Sequence, residues 1–281
     1  MDKKTLLICG GTGLLGPYIR EAFEGDWKII IASRHSTDHA CDFTDAAAVC
    51  SLIEQVKPDV VFHLIALTNV DECEENPDHA HSLNALTVRN VVQTLNPATH
   101  LVYISTDQVY PDTPGPHQED HEAPVNVYGA TKLDGEKEAL SHRDSLVLRV
   151  NLFGPARTEN RMSLSDFFIK SFEKQTPVTM FDDVFFSPLH MGTLAQIARK
   201  CVDHRLCGVY NLGSRAGLSK ADFALKLAQH LNLDASTAQI GQSSAVTGRA
   251  HRTKDLRMDV SRIEKALGIK LPTLQEEIEK L

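Results

Sequence analysis

The chain has 281 residues, 42% of them apolar and 23% charged, which is enough for a sizeable core and too apolar for wholesale disorder. Its 29 basic and 37 acidic side chains leave a formal charge of −8. That balance argues against a nucleic-acid binder held by phosphate contacts, while leaving room for a local basic pocket for a small anion.

The six cysteines lack paired spacing and read as reduced thiols, and no apolar run approaches the roughly 18 residues of a membrane span, so a soluble, cytoplasmic protein is expected. The first apolar run, TLLICGG (5–11), is too short for a leader and reads as a buried strand. It passes through Gly10-Gly11-Thr12-Gly13-Leu14-Leu15-Gly16 into a helix predicted over 14–24. The first gap is one residue wider than in G-x-G-x-x-G. Glycines so placed permit a tight turn and let backbone N–H groups at a helix N-terminus approach a diphosphate. Gly10, Gly13, Leu14, Leu15 and Gly16 are therefore candidate cofactor contacts, against the plainer alternative of a glycine turn with no ligand.

The next run, KIIIAS (28–33), reads as the second strand. An acid at its tip would hold ribose hydroxyls, whereas a base would accept a 2′-phosphate. The tip reads Ser33-Arg34-His35, without an acid, which favours NADPH, with NADH as the alternative. Arg34 as a solvated arginine is the competing reading. Asp42 and Phe43 either contact an adenine or, for Asp42, cap the helix predicted over 45–56.

The alternation continues with strands at 59–66, 100–106 and 145–151 and helices over 77–94 and 127–142. The strands are continuously apolar, as strands covered on both faces should be. Strand–helix repetition predicts a parallel sheet with right-handed crossovers. The fourth strand ends in Ser105-Thr106-Asp107 at the carboxyl edge, where such sheets bind ligands. On the helix that follows, Tyr128 and Lys132 are four apart and so share one face. A free phenol has a pKa of about 10, and a neighbouring ammonium should bring it towards working pH. The spacing alone also fits an ordinary helix surface with an aromatic at one end.

Beyond residue 150 the pattern loosens into helices over 163–175, 192–204 and 219–233, a short strand at 208–213 and a helical tail. This predicts a dinucleotide-binding domain over 1–150, with about 183–201 returning to it, and a smaller substrate-binding region over 151–281. Among thirteen histidines no pair combines ligand spacing with a third nearby ligand, so no metal site is expected. Arg249, Arg252 and Arg257 cluster near the C-terminus and by themselves read as solvated loop arginines.

GGTGLLG, STDQVY and YGATK, in that order, resemble the extended short-chain dehydrogenase/reductases. HLIALTNVDECEENPDHAHSLNA (63–85), YGATKLDGEKE, FFSPLHMGTLA (185–195) and RTKDLRMDVSRIEKALGIKLP (252–272) are similar to the dTDP-4-dehydrorhamnose reductase branch of that family. The resemblance implies an α/β, Rossmann-like doubly wound parallel sheet with a smaller α+β C-terminal substrate domain. It also implies NADP(H)-dependent reduction of a nucleotide-linked 4-keto sugar, dTDP-4-dehydrorhamnose to dTDP-rhamnose in the branch itself. Thr106 matches the catalytic hydroxyl, Tyr128 the proton-transferring phenol, and Lys132 the lysine that holds ribose and tunes it. Ala66 joins the cofactor contacts, and Thr68, Asp107, Asn151 and Arg249 the substrate contacts. A homodimer is the candidate assembly, with no nucleic-acid or membrane partner.

The chain departs from the branch at Asn151-Leu152-Phe153-Gly154, where an aromatic-rich segment is usual. It departs again at Ser187-Pro188-Leu189-His190, which replaces Ser-Pro-Thr-Tyr. The branch also includes the cofactor-binding regulatory β subunit of methionine adenosyltransferase, which is not an enzyme in its own right. That role, or a related nucleotide-sugar epimerase, stands as the alternative.

Overall fold

The computed structural model describes residues 3–36 and 38–281. In chain order it begins with β1 (Thr5–Cys9), α1 (Gly16–Phe23), β2 (Lys28–Ser33), β3 (His39–Ala40), α2 (Ala46–Val56) and β4 (Val60–His63). It continues with α3 (Val70–Glu75), α4 (Pro77–His81), α5 (Thr87–Val92), β5 (His100–Thr106), α6 (Val127–Leu140) and β6 (Ser145–Val150). With an outer strand at Gly208–Leu212, these strands form one seven-stranded sheet in the order outer strand–β6–β5–β4–β1–β2–β3, and every pairing is parallel. The chain runs from β1 to one edge, then returns through β4 to the other. The order therefore reverses between β1 and β4, which opens a crevice at their carboxyl ends.

Alternate residues of each strand feed different layers, because successive side chains point to opposite faces. Leu6, Ile8, Phe62 and Leu148 pack with Ile19 and Phe23 of α1 and with Leu194 and Ala198 of α8 (Met191–Asp203). Leu7, Val61, Leu101 and Val147 pack with Val49 and Ile53 of α2 and Val88 and Val91 of α5 on the other face. Each fully buried aliphatic or phenylalanine side chain stabilises the layers by about 1.5–3 kcal/mol. This is the Rossmann-like doubly wound arrangement expected from the continuously apolar strands.

Two expectations change. Gly208–Leu212, read as a strand of the smaller region, is the outer strand of the main sheet, paired with β6. The helix expected over 77–94 is not continuous α-helix, since α4 and α5 are joined by a π-helical turn at Ser82–Leu86. That wider turn carries Asn84, whose Oδ1 accepts from Leu67 N–H (2.8 Å) and whose Nδ2 donates to Thr131 Oγ1 (2.9 Å). The added residue thus ties the loop after β4 to α6.

The smaller region has its own core, in which Phe168 and Phe172 of α7 (Leu164–Glu173) meet Phe153, Phe186 and Phe223. Phe223 belongs to α9 (Lys220–Leu231), which is N-capped by Ser219. Among the described residues no helix is long and apolar enough to cross a membrane, and all six cysteines are free.

Candidate active site

The crevice between the two halves of the sheet is a cleft of about 780 Å³. One end is built by the turn from β1 to α1. Gly10 has φ +78°, a conformation that favours glycine, and a Cβ on Gly16 would lie 1.9 Å from Gly11 O. Only glycine lets the start of α1 close so tightly on β1. Pro17 falls in the first helical turn, and Leu15 stands at the N-cap with no side-chain cap. Pro17 has no N–H and those of Tyr18 and Ile19 donate to Leu15 O (3.1 and 3.0 Å), so the helix start meets the cleft through the turn residues Leu14 and Leu15 just before it.

Of the residues expected from sequence as cofactor contacts, Gly10, Gly13, Leu14, Leu15, Ser33, Arg34, Asp42, Phe43 and Ala66 line this half of the cleft. Gly16 does not line it and acts through helix packing. Ser33 Oγ is buried and has no hydrogen-bond partner. Beside it Arg34 is exposed, and Asp42 is held below the usual carboxylate range by hydrogen bonds from Thr44, with Arg34 adding a smaller effect. An orphaned hydroxyl next to a guanidinium fits a phosphate on an adenosine ribose. The cap of α2 is Asp45, not Asp42, since Asp45 Oδ1 accepts from Ala47 N–H at 2.9 Å. Asp42 instead accepts from Thr44 N–H (2.9 Å) and Thr44 Oγ1 (2.7 Å).

The other half of the cleft holds the predicted chemistry. Thr106, Asp107, Tyr128, Lys132, Thr68 and Asn151 line it together. The helix α6 is seated by glycine too: a Cβ on Gly135 would lie 2.3 Å from Asn84 O and 2.3 Å from Tyr103 Oη. Tyr128 is 8% exposed and faces the Thr106 hydroxyl. Lys132 is 2% exposed, donates to Ile104 O at 2.7 Å, and sits 4.1 Å from the centre of the Tyr103 ring.

The electrostatics differ from the expectation in one respect. Burial pushes the Tyr128 phenol above its ordinary value and the Thr106 hydroxyl only partly offsets this, so Lys132 does not acidify the phenol in this structure. Burial pulls the Lys132 ammonium itself down to about 7, against the opposing charge of Glu136. Asp107 is pushed up to about 6 by burial, against bonds from Asn151 Nδ2 (2.5 Å) and Thr106 Oγ1 (3.2 Å) and the Lys220 charge.

Behind the cleft a buried ion pair fixes the scaffold. Arg149 donates to Glu136 (Nη2–Oε2, 2.7 Å), and Glu136 also accepts from Ser105 Oγ at 2.5 Å. Ser105, one residue before Thr106 at the strand end, is thus committed to this network. Tyr110 Oη extends it, accepting from Arg149 (3.1 Å) and donating to Asn211 Oδ1 (2.6 Å).

Arg249 does not line the cleft. It lies 4.0 Å from Asp71, while Arg252, three residues on, lines the cleft and donates to the same carboxylate at 2.8 Å. Lys220 and residues 160–162 also line it and were missed. The Lys220 signal was obscured because Ser219 and the amphipathic run after it explain the segment as a helix start. A second depression of about 850 Å³, lined by Tyr18, Arg157, His190 and Lys280 among others, holds none of these catalytic candidates. His100, Asp144 and Cys207 come together at the amino edge of the sheet. Asp144 there is bonded to His100 (2.7 Å) and paired with Arg205.

Known proteins are similar to this chain over nearly its whole length. A probable low-salt glycan biosynthesis reductase of Haloferax volcanii is 26% identical over 287 residues, covering 98% of this chain and 96% of that one. The methionine adenosyltransferase 2 subunit beta of Rattus norvegicus is 29% identical over 295 residues, covering 96% and 84%. The crystal structure of a dTDP-4-dehydrorhamnose reductase from Bacillus anthracis in complex with NADP matches with a TM-score of 0.91 at 25% identity, covering 99% and 98%. A family model described as RmlD substrate binding domain spans residues 4–281, and the chain belongs to that family, within the oxidoreductases of the extended short-chain dehydrogenase/reductase type.

Proposed function

We propose that the protein is an NADP(H)-dependent reductase of a nucleotide-linked 4-keto sugar, with dTDP-4-dehydrorhamnose as the leading substrate. The observation that carries this reading is the convergence of Thr106, Tyr128 and Lys132 on one cleft with the Gly10–Leu15 turn. The reduced nicotinamide, when bound, supplies the hydride. The turn into α1 holds the diphosphate, Ser33 and Arg34 meet the 2′-phosphate, and the Lys132 ammonium donates to a ribose hydroxyl.

Tyr128 then donates its proton to the sugar carbonyl oxygen as charge develops there, and Thr106 hydrogen-bonds the same oxygen. A phenol kept protonated by burial is the form a reduction needs. In this reading residues 1–150, with about 183–201, form the cofactor-binding part, and the smaller region over 151–281 supplies the substrate side. Mixing the protein with NADPH and dTDP-4-dehydrorhamnose and following the reduced cofactor tests it. Oxidation that requires the sugar supports the reading, and no oxidation with this or any related keto sugar defeats it.

A second reading has its own support in the 29% identity with a methionine adenosyltransferase β subunit across 96% of the chain. On that reading the protein binds cofactor and regulates a methionine adenosyltransferase. Co-purification with that enzyme, together with absent turnover, would favour it.

A further inference from the structure

The substrate half of the cleft contains a cation that the reaction described above does not use. Lys220 is the first residue of α9 and lines the cleft. The start of a helix already carries partial positive charge, so an ammonium is disfavoured there. Burial disfavours its charge most, Asp107 opposes this, Arg249 and Arg252 repel it more weakly, and among the described residues no hydrogen bond takes up its ammonium.

Arg252 lines the same wall, with one guanidinium nitrogen on Ala250 O (3.0 Å) and another on Asp71 (2.8 Å). Arg161 approaches the cleft from the loop before α7. Asp107, the acid nearest to Lys220 on this wall, is already engaged by Asn151 and Thr106. A chain of net charge −8 thus places Lys220, Arg252 and Arg161 at one end of a cleft beside a helix start, where Asp71 takes up Arg252 and, among the described residues, no carboxylate is hydrogen-bonded to Lys220. Such an arrangement is stable chiefly when an external anion completes it.

We propose that Lys220, with Arg252 beside it, is the anion-holding residue of the substrate half of the cleft, taking a phosphate or carboxylate oxygen of the substrate. This rests on the reductase reading for the substrate class: the oxygen then belongs to the diphosphate of a nucleotide sugar or to an acid group on the sugar ring. Lys220 sets which substrates are accepted by affinity, and leaves the proton transfer to Tyr128.

The test is calorimetric titration of NADP-loaded protein with dTDP, with a hexuronate and with a neutral hexose. It uses the natural chain, Lys220→Met and Lys220→Arg. The expected result is that Lys220→Met weakens one of the two anions by about tenfold or more. Lys220→Arg keeps most of that affinity, and NADPH binding and the melting temperature stay unchanged in both variants. Selective loss of dTDP identifies the diphosphate, and selective loss of the hexuronate identifies a ring carboxylate. Unchanged affinity for both anions in Lys220→Met, or binding of neither by the natural chain, overturns the assignment. Because the readout is binding, a Lys220-dependent anion in a protein that reduces no keto sugar would retain this assignment and defeat only the reductase reading.

Discussion

Tyr128 shows how a residue can be located from sequence and still be misjudged in its chemistry. The spacing from Lys132 left an ordinary helix surface open, and it was the resemblance to the reductase family that pointed both side chains to the cleft they line. The sequence could not show that both would be buried, and burial decides their proton affinities. It favours the neutral phenol and draws the lysine down to about 7. Arg34 was legible for the opposite reason, because a strand tip exposes its side chain and only its charge matters. Replacing Arg34 with alanine should weaken NADPH binding by about tenfold or more while leaving NADH nearly unchanged. Fluorescence titration of both cofactors checks this, and an equal loss for both would show that Arg34 does not read the 2′-phosphate.

His63 could not be assigned a role from sequence. It is fully buried near Phe43 and Tyr103, both ring nitrogens lack partners, and burial, helped by the Lys132 charge, brings it down to about 3. Its folded value lies below that of an unfolded chain, which therefore binds more protons in acid. The stability present above about pH 6.5 is lost as pH falls towards 3, at up to about 1.4 kcal/mol per unit. Urea unfolding of His63→Leu between pH 6.5 and pH 4.5 should give a flatter acid limb than the natural chain. Parallel limbs would contradict this account.

At the scale of elements, α6 does most to join fold to chemistry. One face carries Tyr128, Lys132 and Glu136 at successive turns, so the two proposed site residues and the scaffold carboxylate share a single stripe. Gly135 lets that stripe approach β5 and the π-helical turn. The helix was legible from its length between two apolar runs, but the π-turn was not. It is set by what Asn84 must reach in three dimensions, and nothing in the local spacing of 77–94 marks it. The pair Glu136–Arg149 was equally hidden, because each residue alone fits a solvated helix face or a strand end. Both are 2% exposed, so removing one partner leaves a buried charge. Arg149→Met should cost about 3–5 kcal/mol in urea unfolding, and the double variant with Glu136→Leu should recover a large part of it. A loss below about 1 kcal/mol would assign the pair no more weight than a surface contact.

For the whole molecule, the sheet follows from five apolar runs and the helices between them, and its reversal between β1 and β4 puts the cleft where it is. That much was legible because short crossovers allow few topologies. The outer strand Gly208–Leu212 was not, since a five-residue apolar run after a helix fits a small sheet as well as a large one. The substrate side was harder to read for a related reason. Asn151, residues 160–162, Lys220 and Arg252 are brought together from four separate segments by tertiary packing alone.

The central claim is that Tyr128 protonates the oxygen of a nucleotide-linked keto sugar held in this cleft. The most direct measurement is a single turnover of NADPH-loaded natural chain and Tyr128→Phe mixed with dTDP-4-dehydrorhamnose, with NADPH affinity measured alongside. The account predicts rapid oxidation by the natural chain and a rate lower by roughly a hundredfold or more in the variant, at unchanged NADPH affinity. Equal rates in the two proteins, or no oxidation by the natural chain, would contradict it.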